Sequence, residues 1–386
     1  MSGRPWAYFA GLLATDLVEV ADLTSDAAPL DRGGWWAVVG TFEGVVTGYR
    51  FASVLPAALP AGLGWHGPAV DRWRSSLDED QYISRIGDIK RHIEAGDVYQ
   101  VNLCRLLSAD LPAGADDPAA LAGLLSAGNP APYQGVLHTG DEWLVTASPE
   151  LFLSRDGDTI ASSPIKGTAA AGSTFAEKDT AENIMITDLM RNDLNRICRP
   201  DSVRVTGLLQ TQAHPGLLHL VSTVQGRLRS DVGWAEIFAA TFPPGSVSGA
   251  PKIRALEVIA ELEPVPRGPY CGAVGFVDAD RRHAQLAVGI RTFFTSTRVS
   301  GRRQLHFGTG AGITYPSDAR AEWVETELKA QRLIALASET VAQRRDRSLA
   351  VSCHPVNRKY HSPEGPAFSD VNAKIWPTHE ATRPGS

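Results

Sequence analysis

Between Cys271 and Ile313 three runs rich in apolar, β-branched and aromatic residues follow one another with only short breaks: CGAVGFVD, AQLAVGIRTFFTSTRV and QLHFGTGAGI. Breaks that short can join antiparallel strands, whereas a parallel crossover takes a dozen or more residues. The same texture recurs in GGWWAVVG (33–40), GVVTGYRFASVL (44–55), VYQVNLCRLLSADL (98–111), EWLVTAS with ELFLSRDGDTIASSPI (142–165), and VRVTGLLQTQ with LLHLVSTVQGRLR (203–229). Helical patterns interrupt these runs without alternating with them one for one. Ile83, Ile86, Ile89 and Ile93 recur three to four apart between Asp78 and Gly96, and further helical stretches are predicted within 112–132, over 176–193, from Trp234, and from Ser317, placed as the cap, to about Ala337. In that last stretch Trp323, Val324 and Leu328 mark the buried face. Many antiparallel strands interrupted by helices define an α+β class rather than a doubly wound sheet.

The chain has 386 residues, which on length alone gives an expectation of two to three domains. A net charge of -6 lacks the basic footprint of a nucleic-acid binder. No apolar run approaches a membrane span, and the first residues lack the basic flank and apolar core of a signal peptide. Cys104, Cys198, Cys271 and Cys353 form no CxxC pair, so neither a disulfide scaffold nor a thiolate zinc site is expected, and a reducing cytoplasm is the implied location. Residues 1–77 read as a strand-rich segment joined to the same fold, 78–340 as the functional domain, and 345–386 as a polar tail poor in aliphatics.

Two helical stretches carry acidic residues three apart, Asp179 with Glu182 and Glu322 with Glu325, and Lys329 lies one turn beyond the second pair. That spacing stacks side chains on one helix face. It is the ordinary pattern of solvated helix charges, and the alternative it leaves open is two helices converging on Mg²⁺, an ion that needs only one or two protein carboxylates. The glycine-rich stretches GTGAGI (308–313) and PPGSVSGAPK (243–252) match neither the dinucleotide fingerprint nor the Walker pattern. Bare amides approaching a carboxylate remain open to the first of them.

The ordered set GDVYQVNLCR (96–105), SPELFL (148–153), SPIKGT (163–168), AENIMITDLMRNDL (181–194), HLVSTVQG (219–226), GSVSGAPKIRALEVIAELEP (245–264), RGPYCGAVGF (267–276), IRT (290–292), GAGI (310–313) and EWVET (322–326) resembles the chorismate-utilising enzymes. These comprise the first components of anthranilate synthase and aminodeoxychorismate synthase, with isochorismate and salicylate synthases. The resemblance spans about residues 80–338 and implies one large domain of two packed β-sheets with helices outside, in place of two or three domains. It implies that Glu182 and Glu325 ligate Mg²⁺, with Glu322 and Asp179 near the ion. Arg291 and the amides of Gly310, Ala311 and Gly312 would hold the enolpyruvyl carboxylate, with Tyr270 at the same end. Thr168 and Ser246 would be further substrate contacts, Lys329 a charge neutraliser, and His219 a neighbour of the departing hydroxyl.

Two positions bear on the branch of chemistry within that resemblance. Water-adding members carry lysine where this chain has Gln100, and glutamine cannot take a proton from water, so ammonia is the favoured nucleophile. Aminodeoxychorismate synthases carry lysine where this chain has Lys166, and anthranilate synthases usually carry alanine. The resemblance thus implies 4-amino-4-deoxychorismate formation through attack of Lys166 on C2 of the ring, with Glu150 as general acid. Anthranilate or 2-amino-2-deoxyisochorismate formation is the nearest alternative, and a non-catalytic chorismate-binding scaffold is a further one. The chain shows no Cys–His–Glu glutaminase set, so a glutamine amidotransferase subunit is the expected ammonia source. Two departures stand out: AAAG (169–172) replaces a segment that commonly contains arginine, and no leucine-led feedback motif is present.

Overall fold

The strands hydrogen-bond into one continuous antiparallel path, 18 strands long among the described residues. This computed structural model describes residues 3–338 apart from 113, 115–116, 171–174, 176, 215–216 and 299–300. The expected tail over 345–386 lies outside that range, as do residues 171 and 172 of the AAAG departure. The path begins at Gln100–Asp110, which carries the short strands Arg74–Ser75 and Gly249–Ala250. It continues through Arg303–Ile313, Thr292–Thr297, Trp143–Ser148, Tyr133–His138 and Trp6–Phe9. From there it runs through Leu12–Asp22, Val46–Pro56, Trp35–Gly40, Ala273–Asp278, His283–Val288, Leu151–Asp156 and Thr159–Ser163. Leu217–Arg227 closes it, flanked by Ile165–Ala170 and Arg204–His214.

The two ends of this path feed one core. Val101 and Leu103 from one end and Val224 from the other share one buried cluster with Trp36, Tyr82, Ile186 and Phe276. A second cluster packs Leu121 and Leu125 of the helix Pro118–Gly128 with Leu333 and Ala337 of the helix Ala319–Ser338, against Val145, Phe293 and Phe307. The α+β class and the single domain hold, and the two packed sheets expected are two stretches of one ribbon doubled back on itself.

Local sequence explains most boundaries. Asp78 caps the helix Glu79–Glu94 by accepting from the Gln81 amide, and Gln81 returns a bond to the Asp78 amide. The final helix begins differently from expectation. Asp318, not Ser317, takes the free amide of Ala321 at 2.8 Å, leaving the Ser317 hydroxyl for Glu322. Of the residues expected to be buried, Trp323 packs against the core, whereas Val324 and Leu328 point to solvent and Glu322, Thr326, Ala330 and Leu333 turn inward. The run AQLAVGIRTFFTSTRV breaks at Gly289–Arg291. The Gly289 Cα lies so close to the Pro269 carbonyl that a Cβ would sit 2.1 Å from its oxygen, and Arg291 adopts φ 52°. The two pieces consequently pair with different strands, and the turn between them presents Arg291.

A buried ion pair braces the Gln100 strand against the turn at Val247. Arg267 grips Glu263 with two bonds, at 2.6 and 2.8 Å, and gives its remaining donors to the Val247 and Asn102 carbonyls. Glu263 also accepts from the Cys104 amide at 2.8 Å, and the guanidinium lies 4.0 Å from the Phe42 ring centre. Removing one member of such a pair strands the other charge away from water. Arg267→Met is therefore expected to lower the unfolding free energy by about 3–5 kcal/mol, read from urea denaturation. A loss within the scatter of ordinary surface substitutions would show that the pair does not brace these segments.

Candidate active site

The floor of the site is the glycine-rich end of Arg303–Ile313. The Asn102 and Cys104 amides point away from this strand, to Ser248 O and Glu263 at 2.8 Å each. Alternation along the ladder then leaves Val101, Leu103 and Arg105 to bond Ile313, Ala311 and Thr309. The backbone polar groups of Gly310 and Gly312 are directed to the opposite edge, where Lys329 Nζ takes the Gly310 carbonyl at 3.0 Å. This corrects one expectation: the Ala311 amide belongs to the sheet, so the free donors are those of Gly310 and Gly312. The glycines also have a packing reason. A Cβ at Gly308 would stand 2.0 Å from the Tyr270 ring, one at Gly310 2.6 Å from Cys104 Sγ, and one at Gly312 2.3 Å from Gln100 Nε2. Tyr270 accordingly sits in the core, flat on Gly308, with its hydroxyl 3.8 Å from the Cys104 thiol.

The helix Glu177–Asn195 is set by a buried polar clamp. Asn183 donates to Leu220 O at 2.9 Å and accepts from Ser222, and Thr187 bonds back to the Asn183 carbonyl. With Asn183 facing the strand, Glu182 turns toward Gln100, whose Nε2 lies 3.5 Å from its Oε2. From the final helix come Glu322, buried, and Glu325, half-exposed and 2.7 Å from Lys329. Asp179 packs against Gly167, where φ is 81° and a Cβ would lie 2.8 Å from the Asp179 Cβ.

Lys178, which the sequence reading passed over, stands among these carboxylates. Its Nζ is 2.6 Å from Glu322 Oε1, 3.6 Å from Glu182 Oε1 and 3.2 Å from the Ser317 hydroxyl. Its place four residues before Glu182 is the signal that could have found it. Among the described residues no group of three His, Cys, Asp or Glu side chains forms a ready-made metal cage.

The charges respond to this arrangement. Burial raises the Glu182 pKa, against the pull of Lys166 and Lys178, and the neighbouring Glu322 and Asp179 add to the rise. Burial also works against ionisation of Glu325, but Lys329, Lys178 and Lys166 together hold its carboxyl below the usual range. Lys178, despite the cost of burial, is raised by its bond to Glu322 and by the charges of Glu322, Glu182 and Glu325.

Glu150 is buried, and desolvation pushes its carboxyl up against the opposing effects of the Ser246 hydroxyl, Lys166, the Ile165 amide and Lys329. Lys166 is thereby the shared neighbour of Glu150, Glu182 and Glu325. Thr168 pairs in register with buried His219. Desolvation lowers the pKa of the Arg291 guanidinium, which has no ion pair among the described residues. Gln100 Oε1, Glu150 Oε1 and Glu182 Oε1 are buried with no hydrogen-bond partner. Orphaned acceptors of this kind each cost about 1–3 kcal/mol unless water or a ligand completes the bonding. A cavity of about 410 Å³ lies elsewhere, bordered by Asp31, Arg155, Trp234 and Arg282, and holds none of these groups.

The raised pKa of Glu150 has a measurable sign. Its folded value stands above its ordinary 4.5, so the stability carried by the protonated form is present below that value and is lost as pH rises through the folded pKa. Glu150→Gln, permanently neutral, is expected to be more stable than the parent at neutral pH, the gain shrinking to nothing in acid. Urea midpoints across pH read this directly. A difference independent of pH would show an unshifted carboxyl.

Relatives named anthranilate synthase component 1 include that of Streptomyces coelicolor, 39% identical over 72% of this chain and 55% of the relative. That of Neisseria meningitidis serogroup A is 38% identical over 81% of this chain and 62% of the relative. The chain thus spans a little over half the length of these relatives. The anthranilate synthase component I structure of Streptococcus pneumoniae has a TM-score of 0.68 at 23% identity, covering 86% of this chain and 90% of that one. The menaquinone-specific isochorismate synthase of Escherichia coli gives 0.73 at 17% identity, covering 88% and 90%. These two likenesses concern the fold alone. The sequence profile described as chorismate binding enzyme matches residues 64–335, the stretch that supplies Gln100, Glu150, Lys166, Glu182 and Glu325, and the chain belongs to that family.

Proposed function

We propose that this chain aminates chorismate, using ammonia delivered by a separate glutamine amidotransferase subunit. The observation that carries this reading is Gln100, buried beside Glu182 where a water-adding relative would need a base. An amide takes no proton from water, and ammonia needs no such help to act as a nucleophile. The relatives' name, anthranilate synthase component 1, supports attack at C2 with loss of the C4 hydroxyl, then release of pyruvate. It favours this 2-amino outcome over the 4-amino outcome implied by the sequence motifs. Glu150, whose carboxyl burial pushes up, is suited to give the departing hydroxyl its proton. Arg291 and the free amides of Gly310 and Gly312 suit a carboxylate of the substrate.

The donor set suits Mg²⁺, since Glu182 Oε1 lacks a partner and Glu325 is held ionised. Glu182 and Glu325 would hold the ion, with water and a substrate carboxylate, and bound there it would neutralise that carboxylate. Glu182→Gln and Glu325→Gln are each expected to abolish Mg²⁺-dependent chorismate consumption while circular dichroism stays parental.

A second reading rests on Lys166, the neighbour of Glu150, Glu182 and Glu325, acting as the free amine. There the amine attacks C2, the C4 hydroxyl leaves, and ammonia then attacks C4 and expels the lysine, giving 4-amino-4-deoxychorismate without pyruvate. Incubation with chorismate, Mg²⁺ and ammonium, followed by mass spectrometry and NMR of the product, tests both. Anthranilate with pyruvate, retained in Lys166→Ala, is expected for the first. A 4-amino product lost in Lys166→Ala would establish the second, and consumption of chorismate without ammonium incorporation would overturn amination. Glutamine-dependent turnover by the isolated chain would remove the need for a partner.

A further inference from the structure

We infer that Lys178 is a built-in counter-cation of the acidic site, competing with the divalent ion for the charge of Glu182 and Glu322. The inference rests on the Mg²⁺ reading given above. Glu322 is almost wholly buried, with a side-chain exposure of 6%, and a carboxylate so placed requires a compensating charge. Lys178 supplies it at 2.6 Å, the Ser317 hydroxyl adds a bond at 2.7 Å, and Lys90 steadies that turn through the Ser317 carbonyl at 2.9 Å. Glu322 Oε1 thus already has two protein donors.

Glu182 is in the opposite condition. Lys178 Nζ stands 3.6 Å from its Oε1, near enough to attract but too far to hydrogen-bond, and that oxygen has no partner. A divalent ion bound to Oε1 would face a positive ammonium group across a short gap in a partly buried setting, where like charges repel strongly. Metal binding and the lysine charge are therefore coupled with negative sign. The lysine lets the four carboxylates fold together without an ion, and in doing so it weakens the ion's hold. A loosely held ion suits a site in which the substrate's own carboxylate completes the coordination.

The test is isothermal titration of the parent, Lys178→Met, Lys178→Gln and Lys178→Arg with MgCl₂, with melting temperatures recorded with and without Mg²⁺. Removing the charge is expected to tighten the Mg²⁺ Kd about tenfold, and Mg²⁺ should raise the melting temperature of the neutral variants more than that of the parent. Lys178→Gln can still donate to Glu322, so it covers the case in which Lys178→Met does not fold. Lys178→Arg, which keeps the charge, should bind as the parent does. Binding seen only in the neutral variants supports the inference in its strongest form. If parent and neutral variants bind Mg²⁺ equally, or the neutral variants bind it more weakly, the competition is overturned while the metal reading stands. If none of them binds, the metal reading falls and the inference falls with it.

Discussion

The fork of Arg267 on Glu263 decides where three segments can be. It fixes the end of the helix Lys252–Leu262, the Val247 carbonyl in the GSVS turn and the Asn102 carbonyl in the Gln100 strand. Ser246 lies one residue from the first of these anchors and Gln100 two residues from the second. Both reach the site through an interaction that itself touches no ligand. The pair is costly to desolvate, yet both charged groups are fully bonded, the condition under which a buried pair persists. It serves specificity here: an apolar replacement of equal volume would fill the space without orienting two carbonyls.

The site in turn concentrates charge of both signs within a few residues' reach. Glu150, Glu182, Glu322 and Glu325 face Lys166, Lys178 and Lys329, and the shifts differ according to which partner is nearest. Beside Lys329 the carboxyl of Glu325 is held below its ordinary range, while burial of Glu150 outweighs Lys166 and Lys329 and moves its carboxyl the other way. Carboxylates of one site are thereby driven apart in acidity by their surroundings.

How far this could be read from the chain depends on the range of the interaction concerned. The Asp78 capping box and the isoleucine spacing are local, and the helix Glu79–Glu94 follows from them. The paired carboxylates were visible as spacing, but spacing did not say what lies between the two helices. Lys178 does, and only the fold brings it 2.6 Å from Glu322, 144 residues away. Val324 and Leu328 were misplaced because apolar character alone does not choose a helix face. The rotation here is set by Arg105, stacked 4.1 Å from the Trp323 ring and bonded to Thr326 and Glu327. The break at Gly289–Arg291 was hidden for a similar reason: its cause is the Pro269 carbonyl, a backbone atom that leaves no mark in composition.

A ribbon whose two ends feed one core has a consequence for biosynthesis. Gln100 belongs to the first strand of the path and Glu182 to a helix lying on its last, while Glu325 and Lys329 come from the helix that follows all 18 strands in the chain. A polypeptide emerging from the ribosome can complete most of its hydrogen-bonded ladders and still possess no binding site, because the carboxylate and ammonium that finish it are among the last residues translated before Ser338. A ligand that needed Glu182 and Glu325 together would bind only once both helices were in place, and would then stabilise the finished fold by mass action.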